Sequence, residues 1–191
     1  MLKMLSLSLF ALLLTAGQLL AEVKLASPFT SHMVFQRMAR LPVWGTAAPG
    51  EQVKVEFAGQ SKPATARDDG LWFVALDPLQ ASSEGRVFTV TGSKSAQPLR
   101  LDDVLVGDVW LASGQSNMTF TVSKSRYAWA GATNEVAEIA AANHPLIRMF
   151  TGEGTKAYEP QKFVKGDWQV CTPENAPGFS AVGYFFARDL Q

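Results

Sequence analysis

Val104-Leu105-Val106-Gly107-Asp108-Val109-Trp110-Leu111-Ala112 runs without a break into Ser113-Gly114-Gln115-Ser116-Asn117-Met118, and the fold turns on how this passage is read. The apolar half has the branched and aromatic content of a buried strand. The polar half stops it abruptly. A serine hydroxyl is thereby predicted at the carboxyl edge of a sheet, where open α/β folds place ligands and reactive groups. Two readings of the local chemistry stand side by side: Ser116 is a presented nucleophile, or the Gly/Ser/Asn cluster is an ordinary turn.

Upstream, from about residue 24 to 100, short β-type segments alternate with turn residues, which is how an all-β sandwich reads. Val53, Val55 and Phe57 alternate with Lys54 and Glu56, giving one buried and one wet face. Leu71 to Leu76 and Arg86 to Thr91 are the next predicted strands, with turns at Ala48-Pro49-Gly50, Asp68-Asp69-Gly70 and Gly92-Ser93.

After Pro98 the pattern changes to strands alternating with helices. Asn134 to Asn143 sets Val136, Ile139 and Ala140 on one helical face and is closed by His144-Pro145; Ile147 to Phe150 reads as a buried strand. Phe179, Val182, Gly183 and Phe186 then fall at i, i+3, i+4 and i+7, which predicts an amphipathic helix entered after Pro177-Gly178. The region from 101 to 191 is short for an α/β domain that closes its own core, so the chain reads as a truncated protein or a fragment.

Lys3, the apolar run Met4 to Leu14 and the small and polar residues up to Ala21 have the order of a secretory signal peptide, with Leu19 and Ala21 at the positions three and one before cleavage. The run is too short to span a bilayer. The mature protein is therefore expected to be exported, periplasmic or extracellular, starting at Glu22. Seventeen basic residues balance seventeen acidic ones, which removes any large attraction for nucleic acid or an anionic membrane. Cys171 is the only cysteine, so the chain forms no internal disulfide, and with no Lys or His cluster nearby it reads as a small buried residue.

Asp108-Val109-Trp110-Leu111-Ala112-Ser113-Gly114-Gln115-Ser116-Asn117-Met118 resembles the first block of the sialate O-acetylesterase family, a branch of the SGNH hydrolases. The likeness extends upstream through His32-Met33-Val34-Phe35-Gln36-Arg37, Val43-Trp44-Gly45, Pro49-Gly50-Glu51-Gln52-Val53 and Gly70-Leu71-Trp72. Downstream it continues through Pro145 to Phe150, Trp168 to Glu174 and Phe179 to Ala187. The resemblance implies a signal peptide over 1–21, a β-sandwich over 22–100 and, over 101–191, the start of an SGNH-type, flavodoxin-like, doubly wound parallel sheet. It also implies a carbohydrate O-acetylesterase acting through an acetyl-serine intermediate without a cofactor, its partner an O-acetylated sugar such as a sialic acid or a polysaccharide. The passage is not the nucleophile elbow of the α/β-hydrolases, which needs glycine on both sides at two residues' distance: Gly114 fits and Met118 does not.

By that resemblance Ser116 is the catalytic nucleophile. Its backbone N–H is one oxyanion donor, and Gln115 and Asn117 flank it as oxyanion or substrate-binding residues. A serine hydroxyl needs a base within hydrogen-bond reach. The family's Asp-x-x-His element has no counterpart here, because the only histidines are His32, in the β-rich half, and His144, at a predicted helix end where capping is the simpler role. Asp102-Asp103 reads as a turn between the two halves and Asp108 as the start of a strand. No His, Cys and carboxylate cluster has metal-ligand spacing. Asn117-Met118-Thr119 fits the glycosylation sequon. The competing reading is a non-catalytic carbohydrate-binding or adhesion module in which the serine turn is inert.

Overall fold

A computed structural model describes residues 22–124, 131–154, 156–161 and 163–191. The expected leader, 1–21, lies outside the described residues. The chain is mostly β-strand, and its buried apolar residues form two clusters, one built from residues 23 to 106 and one from 122 to 184.

Two sheets enclose the first core. In one, β1 (Lys24–Leu25), β3 (Leu41–Thr46) and β6 (Leu71–Leu76) lie in that order, both pairs antiparallel. The other has the order β2 (Val34–Gln36), β8 (Leu99–Gly107), β7 (Ser82–Gly92), β4 (Gln52–Phe57), β5 (Gln60–Thr65). Only the β2–β8 pairing in it is parallel. Alternation does what period two requires: Val53, Val55 and Phe57 are buried while Gln52 and Lys54 are exposed. Phe35, Phe57 and Phe88 meet in the middle with ring centroids 5.3–5.8 Å apart.

Three of the quoted motifs acquire physical reasons. Gly45 lies so close under β1 that a Cβ there would collide with the Lys24 carbonyl oxygen and stand 2.8 Å from the Trp72 ring, so glycine is what lets Trp72 lie flat in the core. Gly50 and Gly70 turn with φ of +73° and +75°, the left-handed region that side chains resist. Between them Glu51 is almost fully buried, and its carboxylate accepts the backbone N–H of Ala48 at 3.2 Å and of Lys94 at 3.1 Å. A buried carboxylate satisfied by two donors is tolerable where a bare one is not. It staples the turn before β4 to the turn after β7.

The decisive passage is divided differently from its expected reading. β8 buries Val104, Leu105 and Val106, stops at Gly107, and leaves Val109, Trp110 and Leu111 exposed, Leu111 at 94%. The expected division at residue 100 thus falls inside a strand of the larger sheet. Asp108 follows that strand and pairs with Arg37 at 2.8 Å, both half exposed.

The second core is smaller. β9 (His144–Phe150) and β10 (Trp168–Cys171) pair antiparallel, so among the described residues after β8 the expected parallel sheet is not formed. Helix α1 (Ser116–Thr119) precedes α2 (Glu135–Ala141), and α3 (Ala181–Leu190) closes the core. Both longer helices occur where periodicity puts them. In α2, Val136 is exposed and Ile139 packs inward. In α3, Ala181, Gly183 and Tyr184 are buried, while Val182, Phe186 and Leu190 form an outward stripe touched by Trp110, which meets Phe186 edge-on at 5.3 Å. Ser180 caps α3 by accepting the Gly183 N–H.

The two cores are tied through the segment before β2. The indole N–H of Trp168 donates to the Pro28 carbonyl at 2.9 Å, and its backbone N–H donates to the Thr30 hydroxyl at 3.1 Å. Nearby, Arg148 of β9 forks onto the Asp103 carboxylate of β8, which also takes the His32 ring nitrogen Nδ1 at 2.8 Å.

Candidate functional site

Ser116 is the first residue of α1, following Gln115 as its cap, and it is exposed, as are Gln115 and Asn117. The turn is shaped by Gly114 and Met118 together. A Cβ on Gly114 would lie 2.7 Å from Cγ of Met118, so the methionine folds over the glycine. The Met118 N–H donates to the Gln115 carbonyl at 3.0 Å and the Thr119 hydroxyl to the Ser116 carbonyl at 2.7 Å. As the opening residues of a helix, Ser116 and Asn117 have backbone N–H groups with no acceptor inside the helix. Among the described residues no group is hydrogen-bonded to the Ser116 hydroxyl. The arrangement is a solvent-facing serine with two N–H donors beside it and, among the described residues, no base hydrogen-bonded to it.

Both histidines are engaged elsewhere. His32 belongs to the joint between the cores, where φ is +68° at His32 and +57° at Asp103. His144 is the first residue of β9 rather than a helix cap, and its ring faces Tyr184 at 6.2 Å. The cap of α2 is made by backbone instead, from the Ala142 N–H to the Ile139 carbonyl.

Sequence reasoning missed the role of Asp103, read as a turn residue. The Arg148 guanidinium, and less strongly the His32 ring, hold its carboxyl below the ordinary carboxylate range against the opposing effect of burial. Gly85 makes the room, since a Cβ there would collide with Oδ1 of Asp103. No local pattern marked that role, because Arg148 alternates out of phase with the buried Ile147 and Met149 of its strand. Cys171 is fully buried, and burial pushes its thiol above the ordinary range. Tyr184 is also buried, its phenol raised by burial and by Glu138, which pairs with Arg188. Among the described residues no group of three His, Cys, Asp or Glu side chains is placed to hold a metal ion, and no helix is long and apolar enough to cross a membrane.

An open cleft of about 440 Å³ begins at Asn117 and runs between α1, the loop leading into α2 and the start of α3. Ser116 adjoins this cleft along the chain without lining it. A second, smaller and more polar recess of about 320 Å³ lies where Asp167, Gln169 and Asn175 approach Phe179.

No family model matches the chain. It is 33% identical over 183 residues to the sialate O-acetylesterase of Pongo abelii, an alignment covering 87% of this chain and 34% of that protein. It is 34% identical to the sialate O-acetylesterase of Homo sapiens over the same shares of each. Among solved structures it is similar to a carbohydrate acetylesterase from Xanthomonas citri, with a TM-score of 0.79 and 36% identity over 88% of this chain and 37% of that one. The chain therefore spans about a third of the length of these relatives.

Proposed function

From the premise that this chain is kin to the sialate O-acetylesterase family, we propose that it carries the nucleophile of an enzyme that hydrolyses acetyl esters on sugars. The observation that carries the reading is that kinship, 33–36% identity over most of the chain to proteins named as acetylesterases. The exposed position of Ser116 supports it.

In this reading the Ser116 hydroxyl attacks the acetyl carbonyl. The bond from the carbonyl carbon to the sugar oxygen breaks, the sugar leaves as an alcohol, and water releases acetate from the acetyl-serine. The N–H groups of Ser116 and Asn117 serve the charge that develops on the carbonyl oxygen, and Gln115 and Asn117 flank the substrate. The base is not among the described groups around Ser116, so this chain by itself is a poor catalyst. Loss of the base alone costs on the order of a millionfold in such enzymes. The β-sandwich expected over 22–100 is proposed to run on through β8 to Gly107, and the rest of 101–191 to be the opening part of an SGNH-type domain. Residues 1–21 are proposed as an export leader.

The test is a fluorophosphonate probe applied to a version of the protein extended to the length of its relatives. Only a serine activated by a base reacts quickly with such a reagent. Labelling is expected at Ser116 and is lost, together with acetate release, in Ser116→Ala. Labelling that survives the substitution, or that maps to Ser113, refutes the assignment.

A further inference from the structure

We propose that Gln36 and Arg37, at the end of β2, are positioning residues for the nucleophile: they grip the segment that leads from β8 to Ser116 and so fix where its hydroxyl stands. The catalytic part of this proposal rests on the esterase reading above, whereas the grip itself does not.

β2 and β8 run parallel, with Gln36 opposite Gly107. The Arg37 N–H adds a rung beyond that register, donating to the Gly107 carbonyl at 2.8 Å. The main chain then turns away. At Met38 φ is +58°, and the Met38 N–H donates to the Leu79 carbonyl at 2.8 Å. With the backbone gone, a side chain supplies the next rung: Oε1 of Gln36 accepts the Val109 N–H at 2.8 Å. Nε2 of the same amide donates to the Arg37 carbonyl at 3.3 Å, which sets the group with its oxygen toward Val109. Between these two bonds, Nε of Arg37 donates to the Asp108 carboxylate at 2.8 Å. Three consecutive residues, Gly107, Asp108 and Val109, are therefore each held by Gln36 or Arg37.

The stretch so held has no regular structure of its own to direct it. Residues 108–115 belong to no strand or helix, so their course is set at their anchors. Past the grip, Trp110 meets Phe186 of α3 edge-on at 5.3 Å. Past the nucleophile turn, the Ala181 N–H at the head of α3 donates to the Phe120 carbonyl at 2.7 Å. Ser116 thus stands between an anchor on the first core and two on α3. Gln36, Arg37 and Asp108 are exposed, and water competes for bonds at such positions, so the grip adds little to stability. Placement is a separate matter, because a reacting group displaced by about 1 Å can lose on the order of a hundredfold in rate. The first core then serves the reaction through β2 instead of acting as a separable binding module.

The test compares Gln36→Met, which keeps the length of the side chain and removes the acceptor, with Gln36→Glu, which keeps the acceptor. In the 191-residue chain, amide exchange and amide shifts are followed by NMR. The Val109 N–H is expected to exchange about tenfold faster in Gln36→Met, with shifts that extend to the amides of Ser116 and Asn117, and to stay close to wild type in Gln36→Glu. In the version extended to the length of the relatives, fluorophosphonate labelling of Ser116 and kcat for acetate release are expected to fall about tenfold in Gln36→Met at unchanged KM, and to be largely kept in Gln36→Glu, while Tm stays in place. Exchange at Val109 that ignores Gln36→Met, or shifts that stop short of Ser116, overturn the grip. Labelling and kcat that hold while the amides move, or a loss confined to KM, overturn the positioning role. Failure of Ser116 to label in the extended wild type removes the esterase reading instead, and the grip is then decided by the amides alone.

Discussion

Asp103→Asn tests the joint between the two cores most directly. The Arg148 side chain is only 5% exposed and the Asp103 side chain 35%. The substitution keeps the shape of the side chain and removes the charge that balances a buried guanidinium. Stripping one partner from a fully buried pair costs about 3–5 kcal/mol. Asp103 is open enough for water to screen the loss, and Arg148 keeps a bond from Nε to the Pro145 carbonyl, so the expected cost is about 2–3 kcal/mol. For a chain of this size that is a fall in Tm of about 4–12 °C. The assay is a thermal or urea double-mutant cycle with Arg148→Met, in which the coupling separates the pair from the packing of each residue. The sign with pH follows from the depressed carboxyl of Asp103. Its stabilisation is fully present above the unfolded value, near 3.8, and is lost as pH falls through the still lower folded value. Wild type and Asp103→Asn therefore converge only in strong acid. Effects that add within about 0.5 kcal/mol, or a gap that closes already near neutral pH, refute the reasoning.

Glu51→Ala removes the buried carboxylate that accepts the N–H groups of Ala48 and Lys94 and is expected to cost about 1–3 kcal/mol in urea unfolding, with Glu51→Gln retaining part of the loss. Gly45→Ala forces β1 away from the Lys24 carbonyl contact and lifts Trp72, lowering stability by about 1–3 kcal/mol and shifting tryptophan emission to the red. Cys171, buried and with its thiol raised, is expected to resist a thiol reagent in the folded chain and react stoichiometrically in denaturant; fast labelling of the native chain contradicts its placement.

Much of the β-rich half was legible because strands such as β4 and β6 have one wet and one dry face, so alternation in Val53 to Phe57 or Leu71 to Leu76 reports burial directly. Turn glycines marked the ends. The helices show where that logic weakens. In α3 the sequence offers two apolar stripes, Val182–Phe186–Leu190 and Ala181–Tyr184–Phe185, and periodicity alone does not say which one meets the core. Tyr184 takes the inner place, its hydroxyl directed at Glu138. The apolar run into Ser116 misled about extent for a related reason. Burial, not hydrophobicity, ends a strand, and β8 has partners only as far as Gly107. At the candidate site the serine was found by its motif, but Asp103 was invisible because its partners, His32 and Arg148, are distant in the chain.

β2 is three residues long and lies parallel to β8, with Val34 opposite Leu105. A ribosome delivers β2 early and β8 much later, so Phe35 waits unsheltered while the intervening strands emerge. Hairpins such as β4–β5 can zip at once, but closing the larger sheet requires a loop through nearly all of the first core, and such distant pairings set a slow rate of folding. The segment just before β2 then has a second appointment, with Trp168. Assembly is therefore ordered in time: the early strand docks onto the late one, and only that completed edge presents Pro28 and Thr30 to the second core.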